Sequence, residues 1–253
     1  VTTVVKRKTT RNNTTATRSK KIRVAKSQAA PITVTVEAEE PAQWQEVYRR
    51  IKDYRREHVA PVDTMGCERL ADPNEEPKVD ATTAAAVRNL QRLGLTVDNI
   101  IATSVEKIDN CIQKVGFHAK KAQYIKQAAL ICRDQYQGDI PGTLPDLVAL
   151  PGVGPKMAYL TLQCAWKANL GIGVDVHVDR ITHRLGWVTR QAKTPEETRI
   201  QLESWLPKEH WTEINPLLVG FGQILCKGTT PQCQDCPVQD LCPSAKTKSK
   251  PKK

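Results

Sequence analysis

No apolar run in this 253-residue chain approaches the roughly 18 residues that a membrane-crossing helix needs, which argues for no membrane partner. Convincing strand patterns are missing too, as is any internal repeat, so an all-α core is the expected fold. Acidic residues are absent from both ends. Residues 1–26 hold nine Lys and Arg and residues 243–253 hold five lysines, with no Asp or Glu in either stretch. Of the 38 basic residues, 24 remain for residues 27–242 against 27 Asp and Glu, so the ends carry the net charge of +11 and the body between them is net −3. Such ends attract any polyanion by counterion release without reading sequence. Being polar, and of one sign over 1–26 and 243–253, the tails 1–40 and 243–253 are expected to be disordered. Met is missing from position 1, which is Val, so the natural start is expected upstream. Lys6-Arg7-Lys8 and Lys20-Lys21 suit nuclear import, while an acid-free start rich in Arg, Ser and Thr also fits a mitochondrial presequence.

Cysteine is not scarce, but its placement argues against a disulfide scaffold. Cys67, Cys111, Cys132 and Cys164 are scattered singly, and the last three stand in helix-like apolar surroundings, as reduced core cysteines do. The other four, Cys226, Cys233, Cys236 and Cys242, are crowded into a Pro-, Gly- and Thr-rich segment, which points to metal in a reducing compartment. A loop so poor in apolar residues needs cross-links that four thiolates on one ion or cluster would supply. Structural zinc usually takes two Cys-x2-Cys knuckles, and here there is one. The 6-2-5 spacing suits a [4Fe–4S] cubane better, with zinc the open competitor.

Helical periodicity begins at Trp44, where Trp44, Val47, Tyr48 and Ile51 form one face of a helix predicted over 44–57. Residues 58–80, with three prolines and several acids, read as a loop. Further helices are predicted over 82–93 (closed by Gly94), 97–101, 105–115, 121–136 (stopped by Gly138), 176–185, 195–206 and 214–225. Residues 116–121, Gly-Phe-His-Ala-Lys-Lys, read as a turn bearing an aromatic, an imidazole and two lysines.

The densest signal is Leu150-Pro151-Gly152-Val153-Gly154-Pro155-Lys156, set between two apolar helical segments: helix, hairpin, helix. Gly152 and Gly154 can take positive φ and have no side chain to hold a phosphate away, so the hairpin amides, Val153 included, are available to a phosphate oxygen. Pro155 suits the first helical position. Lys156 then falls in the first turn, where the partial positive charge of the helix end works against a second positive charge. A plain helix–helix turn with a solvated lysine is the alternative.

The hairpin, then Val174-Asp175-Val176-His177-Val178, then Cys-x6-Cys-x2-Cys-x5-Cys together resemble the endonuclease III family of DNA glycosylases, over roughly Trp44 to Pro243. The likeness is closest to the eukaryotic members, as in Lys121-Ala-Gln-Tyr-Ile-Lys126 and Gly220-Phe-Gly-Gln223. The resemblance implies two helical lobes flanking a DNA groove. One is a helical domain with the hairpin, residues 82–185. The other, 41–81 plus 186–242, carries a [4Fe–4S] cluster on Cys226, Cys233, Cys236 and Cys242. It implies a monomer acting on double-stranded DNA with oxidised pyrimidines or abasic sites; the basic clusters make the nucleus the expected compartment, with the mitochondrion the alternative. Lys156 matches the family's catalytic lysine, which attacks C1′ and forms a Schiff base permitting β-elimination. Asp175 matches the aspartate that stabilises the positive sugar, though an Asp before a helix is also an ordinary N-cap. His177 and His183 read as packing or surface residues, and Asp179 as a first-turn partner of His183.

Phe117, beside His118, matches a loop that enters the duplex when the base is flipped out, with core packing as the alternative. Lys120 and Lys121 match phosphate contacts, with plain solvated charge as the alternative. One departure counts against activity: about twenty residues, including the family's Leu-Ser-Ser-Gln-Thr-type helix, are missing before Thr82, and such a loss is comparable to a domain's whole margin of about 5–15 kcal/mol. A catalytically impaired or noncatalytic DNA-binding protein is therefore the alternative function. Val176, where the family often has Thr, is a smaller departure. An adenine-specific relative does not need the amine, so Lys156 argues against it.

Overall fold

The computed structural model describes residues 39–66 and 82–246, and every regular element among them is helical. The expectations for residues 1–38, for Cys67 and for the junction before Thr82 lie outside the described residues.

Helix α1, Trp44–Glu57, buries the face its periodicity defines: Trp44, Val47, Tyr48 and Ile51. A short α2 follows, Pro61–Met65, inside the stretch expected to be loop. Its polar support is part local and part remote. Asp63 accepts the Ala60 amide at 2.7 Å and an Arg55 N–H at 2.5 Å, while the Val62 amide donates to Gln223 Oε1 at 2.9 Å. Next come α3, Thr82–Leu93, closed by Gly94 at φ 93°, α4, Val97–Ala102, and α5, Val105–Ile112, which stops short of the predicted Val115.

Helix α6 runs His118–Gln135, so His118, Lys120 and Lys121 lie on its first turn rather than in the turn predicted over 116–121. The chain enters it through Phe117 in the left-handed conformation, φ 58°. Helices α7, Leu144–Ala149, and α8, Pro155–Ala165, flank the hairpin. Then follow α9, Val176–Leu185, α10, Pro195–Trp205, and α11, Trp211–Ile224. Pro243–Lys246 forms a one-turn helix, α12, within the predicted C-terminal tail. Proline starts it, and buried Ala245 ties it to the body.

The largest apolar core joins Ile51 of α1, Val178 and Ile181 of α9, Leu202 of α10, and Leu218 and Phe221 of α11. Residues 172–185, grouped by sequence with the hairpin domain, pack into this core. A second core joins Leu90, Ile100, Ile108 and Ala122, and a third, Leu147, Leu150, Ala158 and Leu162, lies under the hairpin. Lys156 thus starts a helix anchored in the third core, while Asp175 stands at the head of one rooted in the first. Cys132 is buried and Cys111 and Cys164 are partly so, none of them in a disulfide.

Candidate active site and DNA-facing surface

The hairpin is a tight turn with one glycine in the left-handed region. Gly152 has φ 79°, whereas Gly154, expected to share that freedom, is extended at φ −103° and caps α8. At Gly152 a Cβ would run into the Tyr124 ring of α6, which locks the hairpin against that helix. No side chain caps α8, so its leading amides keep the positive helix end uncovered.

Lys156 is the second residue of α8, and its Nζ lies 3.6 Å from Asp175 Oδ2. The lysine side chain is 47% exposed and the carboxylate 12%. Asp175 divides its oxygens: Oδ1 accepts the His177 and Val178 amides, both at 2.9 Å, as the N-cap of α9, leaving Oδ2 for the amine. The cap and the amine partner are therefore the same residue in one rotamer. His177 sits between Asp175 and Arg180, 3.1 Å from the latter, and burial holds its imidazole below the usual value, hence neutral at pH 7. His183 bridges Asp179 O and Ala192 O, a packing role.

Sequence reasoning missed the side chains that hold segment 171–175. Gln163 donates to Gly171 O at 2.7 Å, Glu203 Oε1 accepts the Ile172 amide at 2.7 Å, and buried Asn215 donates to Gly173 O. No local pattern marks them, because Glu203 and Asn215 lie 31 and 42 residues from their partners. Beside Lys156 a cavity of about 330 Å³ is walled by Tyr159, Ile172, Val174, Pro195 and Arg199.

Phe117 is 86% exposed, which excludes the core-packing alternative. His118 Nδ1 lies 2.6 Å from Asp109 Oδ1, and Lys120 Nζ stands 5.6 Å from the centroid of the Tyr124 ring. Lys121 and Tyr124 line the same groove as Pro151, Gly152 and Val153. The Phe117 turn and the hairpin are thus presented by neighbouring elements.

All four clustered cysteines line one pocket whose other walls include Leu185, Phe221, Leu225 and Val238. Among the described residues no three His, Cys, Asp or Glu converge as the ligands of one metal ion would. Arg184 donates to Cys226 Sγ at 3.3 Å and to Lys227 O at 2.7 Å. Burial, reinforced by the other sulfurs, pushes the Cys236 thiol up to about 11, and burial raises Cys242 as well. Thiolates gathered in an apolar pocket form together only around compensating positive charge.

Residues 78–208 match the HhH-GPD superfamily of base excision DNA repair proteins. Endonuclease III-like protein 1 of Gallus gallus is 46% identical over 223 residues, covering 82% of this chain and 79% of that protein. The chain belongs to the endonuclease III family. The protein of the same name from Mus musculus is 45% identical, covering 81% of this chain and 74% of its own length. Among solved structures, a trapped endonuclease III–DNA covalent intermediate superposes with a TM-score of 0.67 at 26% identity, covering 81% of this chain and 98% of that one. The 223 positions aligned with the chicken protein exceed the roughly 207 residues in 82% of a 253-residue chain, so the alignment opens gaps in this family member.

Proposed function

We propose that this chain is a bifunctional DNA glycosylase that excises oxidised pyrimidines from duplex DNA and then cleaves the strand at the abasic site. Its family is one of DNA glycosylases with lyase activity at abasic sites. The observation that carries the finer reading is the 3.6 Å approach of Lys156 Nζ to an Asp175 carboxylate whose other oxygen is tied to helix amides. In this reading the neutral Lys156 amine attacks C1′, the base leaves with the C1′–N bond electrons, and Asp175 stabilises the positive sugar. Loss of a proton from the amine to a nearby acceptor, with cleavage of the C1′–O4′ bond and protonation of O4′, opens the sugar ring and gives the Schiff base. Abstraction of a C2′ proton then expels the 3′ phosphate by β-elimination. Gly152, Val153 and Gly154 hold a backbone phosphate, and Lys120 and Lys121 add charge to the same face. Borohydride trapping on duplexes with an oxidised pyrimidine or an abasic site tests this, and absence of a covalent adduct refutes it.

Phe117 is the side chain that enters the duplex when the lesion leaves the stack. Phe117→Ala is expected to leave thermal stability within about 0.5 kcal/mol, since the ring is exposed, while slowing excision about 5- to 100-fold, the range of one lost stacking contact. Melting curves and single-turnover excision read the two separately.

Cys226, Cys233, Cys236 and Cys242 hold a [4Fe–4S] cluster in this reading, in preference to zinc. One zinc draws four sulfurs to within about 2.3 Å of a single point, whereas a cubane takes each at a separate iron. Four cysteines lining one pocket in the uneven 6-2-5 spacing fit the second arrangement. The cluster would cross-link a loop too polar to fold alone. Cys236→Ser is expected to lose the bound iron and its visible absorption, and to lower Tm by about 10 °C, as losing 3–4 kcal/mol does in a domain of this size. Colourless, iron-free parent protein would decide for zinc or nothing.

One observation favours a second reading, a DNA-binding protein without catalysis. Between α3, α6 and the hairpin lies a groove of about 330 Å³ lined by Val87, Leu90, Val115, Ile125, Val153 and Met157, apolar surface of the kind a lost helix would leave. Salt-dependent duplex binding without nicking supports it, and nicking at abasic sites excludes it.

A further inference from the structure

Glu203 stands on α10, outside the amine–carboxylate pair, yet it links the two elements that carry that pair. Its Oε1 accepts the Ile172 amide at 2.7 Å, three residues before Asp175, and its Oε2 accepts from Arg199 Nη1. Arg199 also donates to both oxygens of Glu196, at 2.6 and 3.0 Å, and its guanidinium lies over the Tyr159 ring, 5.1 Å from the centroid. Tyr159 is one turn beyond Lys156 on α8, and its ring occupies the space a Cβ on Gly171 would need. Helix α10 therefore grips the lysine helix through Tyr159 and the aspartate segment through Ile172. Both partners are withdrawn from water, with side chains 15% and 14% exposed. A buried ion pair of this kind adds little stability over apolar residues of the same volume, and where such pairs are kept they can serve to fix geometry.

We propose that the Arg199–Glu203 pair is a positioning device that sets the separation of the Lys156 amine from the Asp175 carboxylate. The proposal rests on the reading of those two residues as the reacting pair. A misplacement of about 1 Å in such a pair costs on the order of 10²-fold in rate. Removing the Glu203 acceptor leaves the Ile172 amide without this partner and lets segment 171–175 drift, while removing Arg199 releases Tyr159 and with it the first turns of α8. Gln163 and Asn215 continue to hold the segment, so it loosens without unfolding.

Single-turnover borohydride trapping at saturating abasic duplex, with duplex affinity measured separately, tests the proposal. Glu203→Ala and Arg199→Ala are each expected to slow trapping about 10- to 100-fold with affinity unchanged. Glu203→Gln, which keeps an acceptor for Ile172, recovers most of the rate. In an Asp175→Asn background Glu203→Ala has no further effect, because a positioning residue acts through the group it positions. Trapping by Glu203→Ala at the parent rate, a loss confined to affinity, or equal slowing in both backgrounds overturns the proposal. Should Glu203→Ala lose its helical circular dichroism, Arg199→Lys, which lacks the planar fork, carries the same cycle. An adduct formed by Lys156→Ala at the parent rate would instead overturn the assignment of the amine, whatever Glu203 does.

Discussion

Lys156→Ala is expected to abolish the borohydride-trapped adduct and strand cleavage at abasic sites, a loss on the order of 10³-fold or more in single-turnover rate, while duplex binding persists. The size follows from what the amine does. In the proposed reaction it forms the bond to C1′, and no other lysine is placed beside the Asp175 carboxylate among the described residues. Binding is expected to persist because the hairpin amides proposed to hold a phosphate belong to the backbone, and Gly152 stays locked against Tyr124 whatever stands at 156. Stability is expected to move by no more than about 0.5 kcal/mol, since the side chain is half-exposed and supports no core. Lys156→Arg sharpens the test by keeping the positive charge while removing a usable nucleophile. Trapping gels read the chemistry and fluorescence anisotropy reads the binding. An adduct with either variant would show that the bond to DNA is made elsewhere.

The parts of this molecule that were legible in its sequence are those whose causes are local. Trp44, Val47, Tyr48 and Ile51 recur with the period of a helix and are the buried face of α1. Thr82–Leu93 ends where Gly94 permits a left-handed residue. Asp175 reads as an N-cap because the rule spans only three residues, and its side chain does accept the His177 and Val178 amides. What stayed hidden is set at a distance. Helix α2 starts on the local Pro61 and Asp63, but its ties to Arg55 and Gln223 are announced by nothing in Pro61–Met65. Phe117 starts α6 from a left-handed conformation costly for a bulky residue, so local preference placed the start three residues late. The two hairpin glycines differ as their neighbours dictate: Gly154 precedes Pro155 and is extended at φ −103°, whereas Gly152 turns at φ 79° against the distant Tyr124 ring. The same holds at the site itself. Lys156 and Asp175 stand out by motif, whereas Gln163, Glu203 and Asn215, which fix the backbone between them, are ordinary polar residues until the chain folds.

Asp175→Asn is expected to separate the two roles that one carboxylate plays. Asparagine is as good an N-cap as aspartate, so the bonds to the His177 and Val178 amides survive and stability is expected to stay within about 0.5 kcal/mol of the parent. The charge does not survive. With a neutral amide facing the Lys156 amine, the positive sugar loses its counter-charge and the proton its acceptor, and base excision is expected to fall about 10²- to 10³-fold, as when one preorganised electrostatic partner is removed. Asp175→Ala loses both roles. It is expected to show the same kinetic defect together with about 1 kcal/mol of destabilisation from the uncapped α9, or some 2–4 °C in Tm for a domain of this size. Melting curves and single-turnover excision on the two variants therefore form a pair: equal rates with unequal stabilities assign the chemistry to the charge and the fold to the cap. If Asp175→Asn excises as fast as the parent, the carboxylate is a cap alone, and its 3.6 Å approach to Lys156 is a surface ion pair without a part in the reaction.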